Sequence, residues 1–271
     1  MKYYDPKNKR LVFEEEKADQ KFWDNLWEDT SLKSFVESGK KDRFVSYFTK
    51  KFLKPKKSVK ILEGGCGKGQ YVYALNFRGY DARGIDFAPK IVQKLNILFP
   101  QLPISLGDVR KTDFPNEYFD GYWSLGVIEH FYSGYNDILK EASRILKPGG
   151  YLFLTFPYMS PIRNIRARLG KYKQLDKNFS QNNFYQFALN KDRVRQDLRS
   201  VDFEIVYERP LDGLKGLKDE IDIPIIKTIL LKIYYGKGVF FAALRNIIYI
   251  LSSPLCGHIV LIVARKKIRP L

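Results

Sequence analysis

Acidic residues are scarce in this chain: 30 Asp and Glu stand against 47 Lys and Arg, a formal net charge of +17 over 271 residues. So one-sided a balance favours anionic partners such as phosphates, acidic lipids or nucleic acid, without choosing among them. Cysteine is nearly missing. Cys66 and Cys256 are too few and too far apart for a secreted disulfide framework, which fits a reducing compartment. The opening MKYYDPKNKR has no apolar stretch of the signal-peptide kind, so a cytoplasmic protein is expected. Uninterrupted apolar runs are short as well. Asn246 to Ala264 carries no Asp, Glu, Lys or Arg, but Ser252-Ser253-Pro254 and Cys256-Gly257-His258 break its middle, which argues against a transmembrane helix. With 45% hydrophobic and 28% charged residues, low-complexity, collagen-like and disordered classes are excluded. The length suits one domain with an elaboration.

The periodicity of what remains divides the chain. Residues 1–55 read as an N-terminal helical cover. One helix is expected over 14–28, where Phe22, Trp23, Leu26 and Trp27 recur behind an acidic turn, and a second over 32–53. Residues 56–158 alternate between short apolar strands (59–62, 82–85, 104–106, 118–124, 151–156) and helices (70–77, 89–98, 135–146). Lys147-Pro148-Gly149-Gly150 is expected to end the third helix. Such alternation predicts a parallel sheet covered on both faces, with ligands beyond the carboxyl ends of its strands. Residues 159–189 are a basic insertion or mobile loop bearing Arg163, Arg166, Arg168, Lys171, Lys173 and Lys177. Residues 190–271 complete the sheet with a helix (190–198) and strands (203–207, 259–263), and hold an apolar helical insertion at 223–255.

The sharpest local signal is Glu63-Gly64-Gly65-Cys66-Gly67-Lys68-Gly69, directly after a strand. Alternate glycines let backbone approach a ligand, and the next helix offers free N–H groups. The dinucleotide fingerprint fails because Gln70 stands where its third glycine belongs, and the P-loop fails because Gly69 follows Lys68. Asp86, at the end of the second strand, suits the two hydroxyls of a ribose, and Asp108 after the third suits an exocyclic amine.

The order Glu63-x-Gly65-x-Gly67-x-Gly69, Asp86, Asp108, Phe119-Asp120 and Leu146-Lys147-Pro148-Gly149-Gly150 resembles the class I S-adenosylmethionine-dependent methyltransferases over residues 58–158. The resemblance implies a Rossmann-like α/β fold, a seven-stranded mostly parallel sheet with helices on both faces and its last strand antiparallel. It also implies an enzyme using S-adenosylmethionine and releasing S-adenosylhomocysteine. Carried over by residue, Gly65, Cys66, Gly67 and Gly69 surround the methionine part of the cofactor, with Glu63 orienting the loop. Asp86 holds the ribose, Phe87 packs beside the adenine, and Asp108 and Val109 contact its edge. Ser124, Leu125 and Gly126 line the floor near the sulfonium, or simply end a strand.

The stretch Leu125 to Phe131 is similar to that of the methyltransferases of ubiquinone biosynthesis, some of which place a metal with Glu-x-x-Glu-His. Here Gly126 replaces the first Glu, so no metal is expected. His130 serves either as general base or as a packed residue that orients the loop. Cys66 reads as small filler. Tyr3, Tyr4, Trp23 and Trp27 either cover the cofactor or belong to the core. The expected activity is in-line methyl transfer to O or N of a small acceptor, anionic or lipid-linked. The rivals are a nucleic-acid methyltransferase and a non-catalytic cofactor-binding scaffold. The basic cluster either reads an anionic acceptor or is a solvated loop. Residues 223–255 are either internal cover or a peripheral membrane contact.

Overall fold

In the computed structural model, which describes residues 1–26, 31–176 and 179–268, neighbouring residues of the central strands point to opposite sides of one sheet. Ile61, Trp123, Phe153 and Leu261 face one side, while Leu62, Tyr122, Leu152 and Ile262 face the other. A sheet apolar on both faces must be covered on both, which is why strand and helix alternate.

The chain opens with β1 (Lys2–Asp5), β2 (Arg10–Glu14), α1 (Gln20–Leu26), α2 (Leu32–Glu37) and α3 (Phe44–Phe52). The central part runs β3 (Lys60–Gly64), α4 (Gln70–Phe77), β4 (Asp81–Asp86), α5 (Pro89–Leu98), β5 (Ile104–Leu106), β6 (Phe119–Leu125), α6 (Asn136–Ile145) and β7 (Leu146–Pro157). Then come α7 (Pro161–Arg168), β8 (Lys173–Gln174), β9 (Phe184–Ala188), α8 (Lys191–Ser200), β10 (Phe203–Leu211), α9 (Gly213–Glu220), α10 (Pro224–Tyr235), α11 (Val239–Cys256) and β11 (Ile259–Lys266). The main sheet has the order β10-β11-β7-β6-β3-β4-β5. β11 is antiparallel to both neighbours and the other pairs are parallel, as expected.

Several expectations are corrected. Residues 1–55 are not all helical cover: β1 and β2 join β8 and β9 in a second sheet, order β8-β1-β2-β9. The helix expected from residue 14 starts at Gln20, because Glu14 is still paired with Phe184 in that sheet. The helix expected over 32–53 breaks between Glu37 and Phe44. Gly39 packs so closely on the first turn of α4 that a Cβ would come within 2.3 Å of the Gln70 carbonyl oxygen. Asp42 then restarts the helix by accepting the amides of Phe44 and Ser46. Lys147 to Gly150 do not end a helix but form an irregularity within β7, where the register against β6 shifts. Ser252-Ser253-Pro254 does not break α11, which continues to Cys256. Lys177 and Trp27 lie outside the described residues.

The basic insertion is folded rather than a mobile loop, and Arg163 is fully buried within it. Its Nε lies 3.0 Å from Glu220 Oε1, which also takes Lys2 Nζ at 2.9 Å, and the Tyr172 hydroxyl donates to Oε2 at 2.6 Å. Arg163 further donates to the carbonyls of Tyr158 and His258. Burial alone would push the Glu220 carboxyl up, but Lys2 and Arg163 hold it below its ordinary value. Removing one partner of such a pair strands a charge in the interior. Glu220→Gln is therefore expected to lower unfolding stability by about 3 kcal/mol, measured by urea denaturation, with Arg163→Met beside it recovering most of the loss.

Candidate active site

β3 ends in the glycine turn, and the amides of Gly65 and Cys66 both donate to the Ile85 carbonyl of β4, at 2.8 and 3.0 Å. The turn requires left-handed backbone at Gly65 (φ 72°) and Gly67 (φ 47°). At Gly65 a Cβ would also come within 2.7 Å of Val127 Cγ2. Asp86, the last residue of β4, locks the turn to the next one: Oδ2 accepts the Gly67 amide at 2.8 Å and Oδ1 the Ala88 amide at 3.0 Å. Burial raises the Asp86 pKa, and these amides oppose the rise.

Beyond the carboxyl ends of β3, β4 and β6 lies a cavity of about 380 Å³. Of the residues expected at the cofactor, Glu63, Gly65, Cys66, Gly67, Asp86 and Phe87 line it, as do Asp108, Val109, Leu125 and Gly126. Gly69 and Ser124 do not. Gly69 caps α4 on the side where a Cβ would meet Ile104, and Ser124 is buried at the end of β6. Glu63 is 3% exposed and its Oε2 has no hydrogen-bond partner. Burial pushes its carboxyl well above the usual range. Burial likewise raises the Cys66 thiol, with Glu63 and Asp86 adding to the effect, so Cys66 is no thiolate and fills space. Asp108 is held in a fork by Arg110, whose Nε and Nη2 donate to both of its oxygens.

The roof comes from α1. Trp23 meets the His130 ring edge-on at 5.1 Å, while Tyr3 and Tyr4 belong to the small sheet and play no part here. Gln20 donates to the Phe87 carbonyl and Asp24 accepts the Lys90 amide, so α1 is tied to the rim at the start of α5. His130 Nδ1 lies 2.8 Å from the Tyr185 carbonyl. A carbonyl only accepts, so Nδ1 carries the proton and Nε2 keeps its lone pair. Burial lowers the His130 pKa to about 4, leaving the ring neutral across the physiological range. Phe35, Tyr71, Arg110 and Phe131 also line the cavity and were not anticipated. Arg110 had a local signal, two residues after Asp108, but Phe35 reaches the site only through the packing of α2. Among the described residues no three His, Cys, Asp or Glu lie close enough to share a metal ion.

The methyltransferase domain family matches residues 62–154. A ubiquinone biosynthesis O-methyltransferase from Chromobacterium violaceum is 31% identical over 101 residues, 35% of this chain and 43% of that one. A tRNA U34 carboxymethyltransferase from Saccharophagus degradans is 30% identical over 132 residues, 46% of this chain and 40% of that one. The chain thus spans about half the length of the curated relatives it matches. Among solved structures, the complex between the Haloferax volcanii Trm112 methyltransferase activator and a methyltransferase contains a chain of like fold. Its TM-score is 0.58 at 16% identity, covering 91% of this chain and 98% of that one. A glycine turn, an acid ending the second strand and a seven-stranded sheet with one reversed strand define a Rossmann-like methyltransferase core. Over residues 62–154 the chain is similar to the methyltransferase domain family, and its fold is that of the S-adenosylmethionine-dependent methyltransferase structures it resembles.

Glu129, beside His130, is buried with Oε2 unpartnered, and burial pushes its carboxyl up to about 8. A raised carboxyl pKa stabilises the fold at low pH and loses that contribution as pH rises through the folded value. His130, lowered to about 4, acts in the opposite sense: its contribution is complete above 6.5 and lost on acidification. From pH 6.5 to 8 the Glu129 contribution should cost the parent roughly 2 kcal/mol, in the same direction as the raised Glu63 carboxyl. Urea midpoints across that window should show Glu129→Gln losing correspondingly less stability than the parent.

Proposed function

We propose that the cavity binds S-adenosylmethionine and that the protein transfers its methyl group to an oxygen or nitrogen of a small, hydrophobic acceptor. The observation that carries the reading is the orphaned Glu63 oxygen, buried in the cavity wall beside Asp86 in a chain that is otherwise strongly basic. An unpaired buried carboxylate is costly unless a cation reaches it. The residues present fit the cofactor: Glu63 faces its ammonium, Asp86 its ribose, Phe87 and Val109 its adenine, and Asp108 the adenine edge. The volume suits one ligand of that size.

When bound, S-adenosylmethionine supplies a methyl group on a sulfonium, which departs as a neutral thioether. The protein's share is alignment and exclusion of water. Trp23 and Phe131 close the acceptor side with apolar surface. His130 offers Nε2 to the acceptor's proton; a base of so low a pKa assists without holding the proton, so positioning dominates. Arg163 and Arg166 are not available to an anionic acceptor, because Glu220 and Asp222 engage them. Charge reversal there is expected to unfold or weaken the protein rather than raise an acceptor's KM. The net charge and the tRNA-modifying relative support a second reading, an RNA acceptor held by the surface lysines.

Isothermal titration with S-adenosylhomocysteine tests the site. Glu63→Gln and Asp86→Asn should each weaken binding about ten- to a hundredfold, the worth of a hydrogen bond to a charged group. Parent-like affinity in both folded variants would overturn the assignment. Because burial favours the protonated Glu63 carboxyl, an ammonium arriving beside it should expel a proton. Binding enthalpies in phosphate and Tris should therefore differ for the parent and converge for Glu63→Gln.

A further inference from the structure

α10 and α11 form a hairpin that packs on α9, α7 and β10, and its polarity is the reverse of an ordinary surface helix. Val239, Ala243, Ile247, Ile250, Leu251 and Pro254 recur at helical spacing along the outward face of α11. Val239 is 87% and Leu251 73% exposed. Asn246 is exposed at the margin of this face, whereas Arg245 and Ser253 turn toward the protein. Arg245 donates to the Ile233 and Gly236 carbonyls that end α10, and Ser253 Oγ accepts the Gly213 amide. On α10, Ile225, Ile229 and Tyr235 extend the outward apolar face, while Leu230 and Ile233 are buried. An exposed apolar face of this extent, with Arg245 and Ser253 bonded inward, is built for an apolar surrounding.

Charge selects which one. Lys227, Lys232 and Lys237 are exposed beside this face, and no Asp or Glu occurs after Asp222. An anionic bilayer supplies both complements, acyl chains for the isoleucines and headgroups for the lysines. By length and composition alone α11 is long enough to cross a membrane. The connections forbid it. Gly257-His258 leads straight from α11 into β11 of the main sheet, and the return path from the far end is α10. Its 12 residues reach about 18 Å, short of a hydrocarbon core of about 30 Å.

We propose that the α10–α11 hairpin docks the protein on the surface of a bilayer rich in anionic lipid, lying in the headgroup region without spanning. The segment of α9 and the hairpin leaves β10 at Leu211 and enters β11 at Ile259, which pairs with Pro157 at the carboxyl end of β7. Its attachment therefore lies at the same end of the strands as the cavity. Docking brings that end to the membrane, where an acceptor with a hydrophobic tail meets the cavity. The docking stands apart from methyl transfer and is tested without it.

The test is co-sedimentation of the full chain with vesicles of phosphatidylcholine alone or with phosphatidylglycerol. Binding is expected only with the anionic lipid, weakening as salt rises. Lys227→Gln, Lys232→Gln and Lys237→Gln together should weaken it about a hundredfold. Ile247→Asp with Leu251→Asp should abolish it while the thermal midpoint stays unchanged, since both residues are exposed. Three results would overturn the proposal: no binding, with a dimer in sedimentation that the Asp variant dissociates; binding indifferent to the Asp variant; or retention after an alkaline carbonate wash, the mark of an integral span. S-adenosylhomocysteine affinity should be the same in all these variants, so failure here leaves the active-site reading untouched.

Discussion

A carboxylate with no access to water cannot remain in an apolar interior without its donors, and Glu220 sets that condition on much of the architecture. Its donors arrive from Lys2 on β1, Arg163 on α7 and Tyr172 just before β8. The small sheet, the insertion after β7 and the platform under the hairpin must all dock before any one of them is satisfied. Arg163 adds the link to the main sheet through the Tyr158 and His258 carbonyls, which lie beyond the end of β7 and before the start of β11. Burial and the neighbouring Arg163 and Lys215 keep His258 itself neutral.

The site uses the same logic at smaller scale. Asp86 joins the turn after β3 to the turn after β4 by two amide hydrogen bonds, so the walls of the cavity are fixed relative to each other before a ligand arrives. Glu63 differs from Asp86 and Asp108, the other carboxylates lining the cavity, in having one oxygen unpartnered. Local acidity at the floor of a cavity in a chain of net +17 is a separation of charge that favours a cationic small ligand inside and an anionic surface outside. The two proposals, one for the cavity and one for the hairpin, follow from the two halves of that separation.

How much was legible in the sequence varies with distance along the chain. The bounds expected for α4, α5 and β5 coincide with those observed, because each element is announced by its own residues: a glycine turn before Gln70, Pro89 opening a helix, a short apolar run at Ile104. The small sheet was missed. β1 pairs with β8 some 170 residues away, and no local pattern reports such a pairing. The break at Gly39 and Asp42 did have a local signal in the Asp42 cap, although the reason for the glycine lies in α4.

What the sequence by itself determined is the alternating α/β core, the position of the glycine turn and the placing of Asp86 and Asp108 at strand ends, since these depend on periodicity and backbone freedom within a few residues. The tertiary structure alone decided which charges are spent inside and which face outward. A run of cations from Arg163 onward reads as solvated surface until Glu220, 57 residues later, is found against it. An apolar stretch from Ile223 onward reads as buried until Ile225, Ile229, Ile247 and Ile250 are found pointing away from the protein. Burial is a property of the partner as much as of the residue, and the partners here lie far along the chain.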